Sequence, residues 1–154
     1  ATAIARGRGE ILEPLPDRRL PWILLVKPDY EVSTAEVYQG LRLDEVGKRP
    51  DTAAFLAAWQ DCDIMNIAKN LVNVLESVSI RLYPEIAAIK AAMIEHGALN
   101  ALMSGSGPTV FGIFAEGNRA EQARQSFLKH YQQVFLVSSY GRGEKSAGTK
   151  IITG

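Results

Sequence analysis

The sequence predicts an α+β sandwich: a small, mainly antiparallel sheet with helices packed on one face, in a ferredoxin-like arrangement. Three observations lead there. Apolar runs of strand length lie at 22–27, on both sides of Ser104-Gly-Ser-Gly-Pro108, and at 134–137, and helical periodicity fills the intervals between them. The order is therefore strand, helices, paired strands, helix, strand, which places the helices together over one sheet. A chain of 154 residues, 47% of them hydrophobic, is also the size of one ordinary domain and large enough to bury a core.

The balance of 17 basic and 17 acidic residues leaves no net charge, which argues against nucleic acid or an anionic membrane as the main partner. A single cysteine, Cys62, excludes an intramolecular disulfide and suits a reducing compartment; it is expected half-buried on a helix. Two well-separated histidines are too few for a zinc site. No apolar run approaches the roughly 18–20 residues of a membrane span and no signal-peptide pattern opens the chain, so the expected location is cytoplasmic. The chain begins at Ala1, inside what reads as a strand, and a longer parent protein is expected.

Residues 1–15 read as an extended segment interrupted at Gly7-Arg-Gly9 and closed by Pro14 and Pro16, a hairpin or a crossover set apart from a main domain over 16–140. Trp22-Ile-Leu-Leu-Val-Lys27 is continuously apolar up to its lysine, which fits a central, well-covered strand. Ser33-Thr34 caps a short helix that closes near Gly40 and places Thr34 and Tyr38, four apart, on one face. Residues 41–50 are a loop, and Asp51 caps a helix running to about Trp59. From Ile64 to Leu82 apolar residues recur at helical spacing, predicting one long amphipathic helix with Asn66, Asn70 and Asn73 on or near its solvated side. Pro84 opens the next helix, which ends at His96-Gly97. Asn118-Arg-Ala-Glu121 reads as a capping box for a helix from Arg119 to about Lys129, and 141–154 reads as a loose tail. The core is expected to include Ile23, Leu25, Leu71, Leu75, Ile89, Val110, Ile113 and Phe127.

The most informative stretch is Ser104-Gly-Ser-Gly-Pro108 between two strands. Gly105 and Gly107 can take φ > 0, and the hydroxyls of Ser104, Ser106 and Thr109 lie beside exposed N–H groups. That suits contact with a phosphate and equally suits a plain tight turn; without a following Lys it is no Walker A loop. A β-branched residue at Gly107 is expected to obstruct a ligand more than it unfolds the domain.

Gly7-Arg-Gly-Glu-Ile-Leu-Glu-Pro-Leu15, Leu24-Leu-Val-Lys-Pro28 running into Ser33-Thr-Ala-Glu-Val-Tyr38, the Asn66/Asn70 segment and Leu102-Met-Ser-Gly-Ser-Gly-Pro-Thr-Val-Phe111 together resemble the C-terminal half of the GHMP-type small-molecule kinases. The likeness runs to about residue 144 and is strongest on the branch that phosphorylates cytidine-diphosphate-linked methylerythritol in non-mevalonate isoprenoid synthesis. It implies a GHMP kinase C-terminal domain in which Gly105, Ser106 and Gly107 form a phosphate-proximal loop. Thr34 and Tyr38 would contact substrate, with the Tyr38 ring stacked on cytosine. The bland alternative for Tyr38 is a core-facing ring. The family's glycine-rich ATP loop and its Asp-Val-Pro segment with the catalytic Asp are not found here. The resemblance thus implies that ATP and Mg are bound mainly by an N-terminal half, that no catalytic or metal-binding residue lies in this chain, and that the chain alone is inactive. Two other readings stay open: a self-sufficient α+β module that binds or senses a small molecule, and an oligomerisation domain whose loop is only a turn.

Overall fold

The computed structural model describes residues 2–42, 47 and 49–139; the tail expected over 141–154 lies outside the described residues. The chain opens with a hairpin, β1 (Thr2–Arg6) and β2 (Ile11–Leu15), which forms a two-stranded sheet of its own with Gly7 and Gly9 at positive φ in the turn. Of the two proline stops, Pro14 sits inside β2, paired with Ala3. A second sheet has the order β4-β5-β3-β6, built from β3 (Trp22–Lys27), β4 (Asn100–Met103), β5 (Val110–Phe114) and β6 (Gln133–Val137), with every pairing antiparallel. With helices between β3 and β4 and between β5 and β6, this is the ferredoxin-like order anticipated from the sequence, and β3 is a central strand.

Strand alternation decides which apolar residues are core. Leu24 and Val26 of β3 are fully buried, beside Val110, Ala101, Met103 and Val134 of the neighbouring strands, so Ile23 and Leu25 fall on the opposite, half-buried face. A continuous apolar run carries no period-2 signal, which is why the sequence placed Ile23 and Leu25 in the core with the wrong face. Leu71 is also only half-buried, whereas Leu75, Ile89, Val110, Ile113 and Phe127 are buried as expected. Over the Leu24/Val26 face lie α4 (Glu76–Leu82), α5 (Glu85–Glu95) and α6 (Gly117–Phe127), contributing Val78, Ile86, Ile89, Met93, Ala123 and Phe127 to one cluster. The lack of a side chain at Gly112 of β5 lets α5 come close, since a Cβ there would lie 2.9 Å from the Met93 sulfur.

Three helices precede these: α1 (Thr34–Gln39), α2 (Thr52–Gln60) and α3 (Ile64–Lys69), capped by Ser33, Asp51 and Asp63. Asp63 accepts the backbone N–H of Asn66, which holds its carboxyl below the usual range. Trp59 of α2 and Ile67 of α3 pack with Leu15 and Leu20 in a smaller second cluster, and Trp59 Nε1 donates to Pro16 O at 2.9 Å. Cys62 is exposed at the α2–α3 junction with φ +57, not half-buried on a helix.

The long helix expected over 64–82 is broken. Helix α3 stops at Asn70, whose side chain bonds back to Asn66 O at 2.9 Å, and α4 begins only at Glu76. Asparagine side chains compete with helical backbone for hydrogen bonds, and here they win. At α6 the expected capping box does not form: the helix starts two residues early, after Glu116, and Glu121 instead takes bonds from Arg124 and Gln125. Gly117 at that start lies under the Trp22 ring, where a Cβ would come within 2.8 Å.

Candidate functional site

The β4–β5 connection begins with a tight turn in which Gly107 N donates to Ser104 O at 3.0 Å, and Ser104 N donates to Thr109 O at 2.8 Å. Gly105, the first central residue of that turn, has φ +59, a value that hairpin turns of this kind reserve for glycine. Gly107 follows with φ +97. The positive φ expected at both glycines is therefore present, but their surroundings differ. Nothing lies within 4 Å of a Cβ built on Gly105, whereas one on Gly107 would meet the Met103 sulfur at 2.9 Å and Ile86 Cδ1 at 3.4 Å. The close neighbour at Gly107 is thus the protein's own core.

Three side chains from earlier elements hold this loop. Asn73, in the break between α3 and α4, donates through Nδ2 to Met103 O at 2.8 Å and to Gly105 O at 2.7 Å, while its Oδ1 accepts Leu75 N–H at 3.0 Å. Ser79, fully buried in α4, donates its hydroxyl to Ser106 O at 2.9 Å. Thr34 Oγ1 and Ser106 Oγ lie 2.8 Å apart and share a hydrogen bond, which joins the start of α1 to the loop across 72 positions of sequence. Two candidates found separately in the sequence, Thr34 and Ser106, are therefore neighbours in space.

Tyr38 lies one turn along α1 and is 60% exposed, so the core-facing alternative for its ring is overturned. It makes no hydrogen bond or ring contact with the loop. Asn73 and Ser79 were missed by the sequence reading, which placed Asn73 on a solvated helix face. The available signal was an Asn/Asn/Asn series within a run read as continuous helix, since such residues favour breaks and caps.

Glu76, at the start of α4, accepts Met103 N–H at 2.6 Å and pairs with Lys90 of α5, both side chains being largely buried. A cavity of about 490 Å³ opens here, with Asn73, Glu76, Lys90 and Leu102 in its wall. Among the described residues its lining includes neither Thr34 and Tyr38 nor the loop itself, so it is separate from the Thr34–Ser106 surface. The donors at that surface are hydroxyls and backbone N–H groups, which suit phosphate oxygens. Among the described residues no group of three or more His, Cys, Asp or Glu stands together to hold a metal, and no helix is long and apolar enough to cross a membrane.

Residues 60–133, which contain the Asn73 break, Ser79 and the glycine loop, match the family model for the C-terminal part of the GHMP kinases. This chain contains a GHMP kinase C-terminal domain. Among its relatives, 4-diphosphocytidyl-2-C-methyl-D-erythritol kinase of Syntrophomonas wolfei is 66% identical over 137 residues, spanning 89% of this chain and 48% of the relative. The protein of the same name from Alkaliphilus oremlandii is 45% identical over 143 residues, 92% of this chain and 49% of the relative. A crystal structure of 4-(cytidine 5'-diphospho)-2C-methyl-D-erythritol kinase superposes with a TM-score of 0.73 at 29% identity, over 90% of this chain and 50% of that one. The chain thus spans about half the length of the curated relatives it matches. The GHMP kinase domain accounts for the ferredoxin-like sheet and for the loop between its second and third strands.

Proposed function

We propose that this chain is the substrate-side half of an ATP-dependent kinase that phosphorylates a hydroxyl of 4-diphosphocytidyl-2-C-methyl-D-erythritol. The observation that carries the reading is the Thr34–Ser106 hydrogen bond, which puts α1, with the exposed Tyr38 one turn on, beside the glycine loop. That juxtaposition offers an aromatic face for a base and N–H and hydroxyl donors for phosphates, the two ends of a cytidine diphosphate. The names of the relatives support the substrate. In this reading Thr34 and Tyr38 contact substrate and Gly105, Ser106 and Gly107 form the phosphate-proximal loop. The hairpin over 1–15 is the end of the N-terminal half, and 16–140 is the C-terminal domain.

Transfer of a γ-phosphoryl group depends on positioned donors around the triphosphate, a metal site and a residue that orients the acceptor hydroxyl. The loop's donors fit phosphate oxygens and its residues present no carboxylate to a cation, so ATP and Mg fall mainly to the N-terminal half. ATP supplies the phosphoryl group; this chain binds and orients the acceptor. Loss of groups that stabilise the transferring phosphoryl costs factors of roughly 10³–10⁵ in kinases and GTPases, so the chain alone is expected to be inactive. The test joins the first half of the Syntrophomonas wolfei kinase to this chain and measures ADP release with ATP, magnesium and the cytidine substrate. The chimera should turn over in a substrate-dependent way and the chain alone should not. A folded chimera that releases ADP no faster with substrate than without refutes the assignment, and so does substrate-dependent turnover by the chain alone.

A further inference from the structure

The loop's hydrogen bonds are one-sided. Its carbonyls at Ser104, Gly105 and Ser106 are all engaged, by Gly107 N, Asn73 Nδ2 and Ser79 Oγ respectively. Among the described residues the N–H groups of Gly105 and Ser106 have no acceptor. In a trans peptide the carbonyl and the N–H point opposite ways, so the Asn73 bond to Gly105 O turns the Ser106 N–H away from the protein. The bond from Gly107 N to Ser104 O does the same for the Gly105 N–H. Successive free N–H groups in a turn with a positive-φ glycine are the groups from which anion-binding concavities are built.

A glycine leaves the 105–106 peptide unit free to rotate at little cost, so something outside the turn must hold it. One amide nitrogen does so, using both of its hydrogens on Met103 O and Gly105 O, with its own oxygen tied to Leu75 N–H. We propose that Asn73 is a positioning residue: from the break between α3 and α4 it fixes the Gly105–Ser106 peptide so that two N–H groups meet the substrate's diphosphate. This rests on the phosphate-proximal reading of the loop given above. Asn73 reaches no substrate atom itself. Ser79 anchors the next peptide unit, whose Gly107 N–H is donated to Ser104 O, from a fully buried position.

The experiment titrates inorganic pyrophosphate into the ¹⁵N-labelled chain, following the Gly105 and Ser106 amide resonances, alongside the thermal midpoint. Asn73→Ser keeps a short oxygen for Leu75 N–H, adds no charge and loses both donors to the loop. Asn73→Ala loses all three bonds and serves as the harsher variant. In the wild-type chain the pyrophosphate shifts should centre on Gly105 and Ser106. In Asn73→Ser the apparent Kd should weaken at least about tenfold, as expected when an anion site loses its preset geometry. A purely structural role moves the midpoint and leaves the Kd alone, and that result overturns the proposal. No shift at Gly105 and Ser106 in the wild type refutes the phosphate-proximal reading itself, so the two failures are distinguishable. Should Asn73→Ala unfold, Asn73→Ser decides, and wild-type pyrophosphate affinity in it overturns the role of Asn73.

Discussion

Alanine at Gly107 and alanine at Gly105 should have very different consequences, although the residues are two apart and both have φ > 0. At Gly107 the new Cβ must adopt φ +97 and would stand 2.9 Å from the Met103 sulfur and 3.4 Å from Ile86 Cδ1. Backbone strain of about 1–2 kcal/mol is added to an overpacking cost of about 1–3 kcal/mol, because both neighbours are themselves fully buried and have nowhere to retreat. Restricting the unfolded chain returns about 0.4–1 kcal/mol. The net loss is about 1–5 kcal/mol, or on the order of 10 °C in Tm for a domain of this size. At Gly105 the Cβ enters open space, only the strain at φ +59 remains, and the same offset leaves about 1 kcal/mol or less. Urea unfolding of the two variants, with slopes checked for equality, measures the difference. Equal losses, or a larger loss at Gly105, would refute the view that Gly107 is required by the core beneath the loop and Gly105 by the turn itself. The contrast sets the core beneath the loop beside the ligand expected from the sequence as a reason for Gly107 to be sensitive to substitution.

The chimeric kinase carrying Tyr38→Ala should show a KM for the cytidine substrate raised roughly 5- to 150-fold, from about 1–3 kcal/mol of base stacking, with the KM for ATP nearly unchanged. Equal changes in both would assign Tyr38 to packing. Tyr131 donates to Glu85 Oε1 at 3.0 Å, and burial, then Glu85, pushes its phenol from an ordinary value of 10.0 up to about 12. A folded-state pKa above the unfolded one contributes stability that is full below pH 10 and lost between about pH 10 and 12. Urea midpoints taken at pH 9 and 11 should therefore fall less in Tyr131→Phe than in the wild type, and identical slopes would contradict the assignment. Glu121 is held below its ordinary value of 4.5, first by the hydrogen bond from the buried Arg124 guanidinium. Its contribution is present above about pH 4.5 and lost as pH falls through the lowered value. Glu121→Gln should accordingly cost about 0.5–1 kcal/mol at pH 7, discounted because the carboxylate is 39% exposed, and progressively less as pH falls below 4.5. A cost independent of pH would point to packing instead.

What could be read from the sequence divides along physical lines. Elements set by local chemistry were legible: the Ser33 and Asp51 caps, the αL glycine at 97 that ends α5, and the two apolar strands around the glycine loop. Elements decided by competition were not. Apolar spacing over 64–82 is consistent with one helix, and nothing local shows that Asn70 would bond Asn66 O or that Asn73 would leave the helix for a loop 30 residues away. The face of β3 was equally hidden, because a strand apolar on both sides has no alternation to read. The candidate site was half legible. Thr34 and Ser106 were each identified, but the bond between them is a product of the fold, which brings α1 to the end of β4, and Ser79 was missed.

The break between α3 and α4 has a second use that explains why the sequence tolerates the loss of helical hydrogen bonds there. Strand β4 is an edge of its sheet, and an edge presents unpaired N–H and C=O groups that would otherwise invite another strand. Here side chains close it: Asn100 Oδ1 accepts Ala101 N–H, Glu76 accepts Met103 N–H, and Asn73 donates to Met103 O. Asn100 in turn donates to Ala68 O near the end of α3, so the broken segment is tied to the edge at both ends. Each such bond contributes only about 0.5–1.5 kcal/mol net, but leaving a buried partner unpaired costs about 1–3 kcal/mol. A continuous helix would return a few backbone bonds to residues 70–75 and, with Asn73 and Glu76 withdrawn, leave the edge groups of Met103 open. The same two side chains therefore seal the sheet and fix the entry to the glycine loop. A substitution at either position acts on stability and on loop geometry together, and only paired measurements of unfolding and anion affinity separate the two effects.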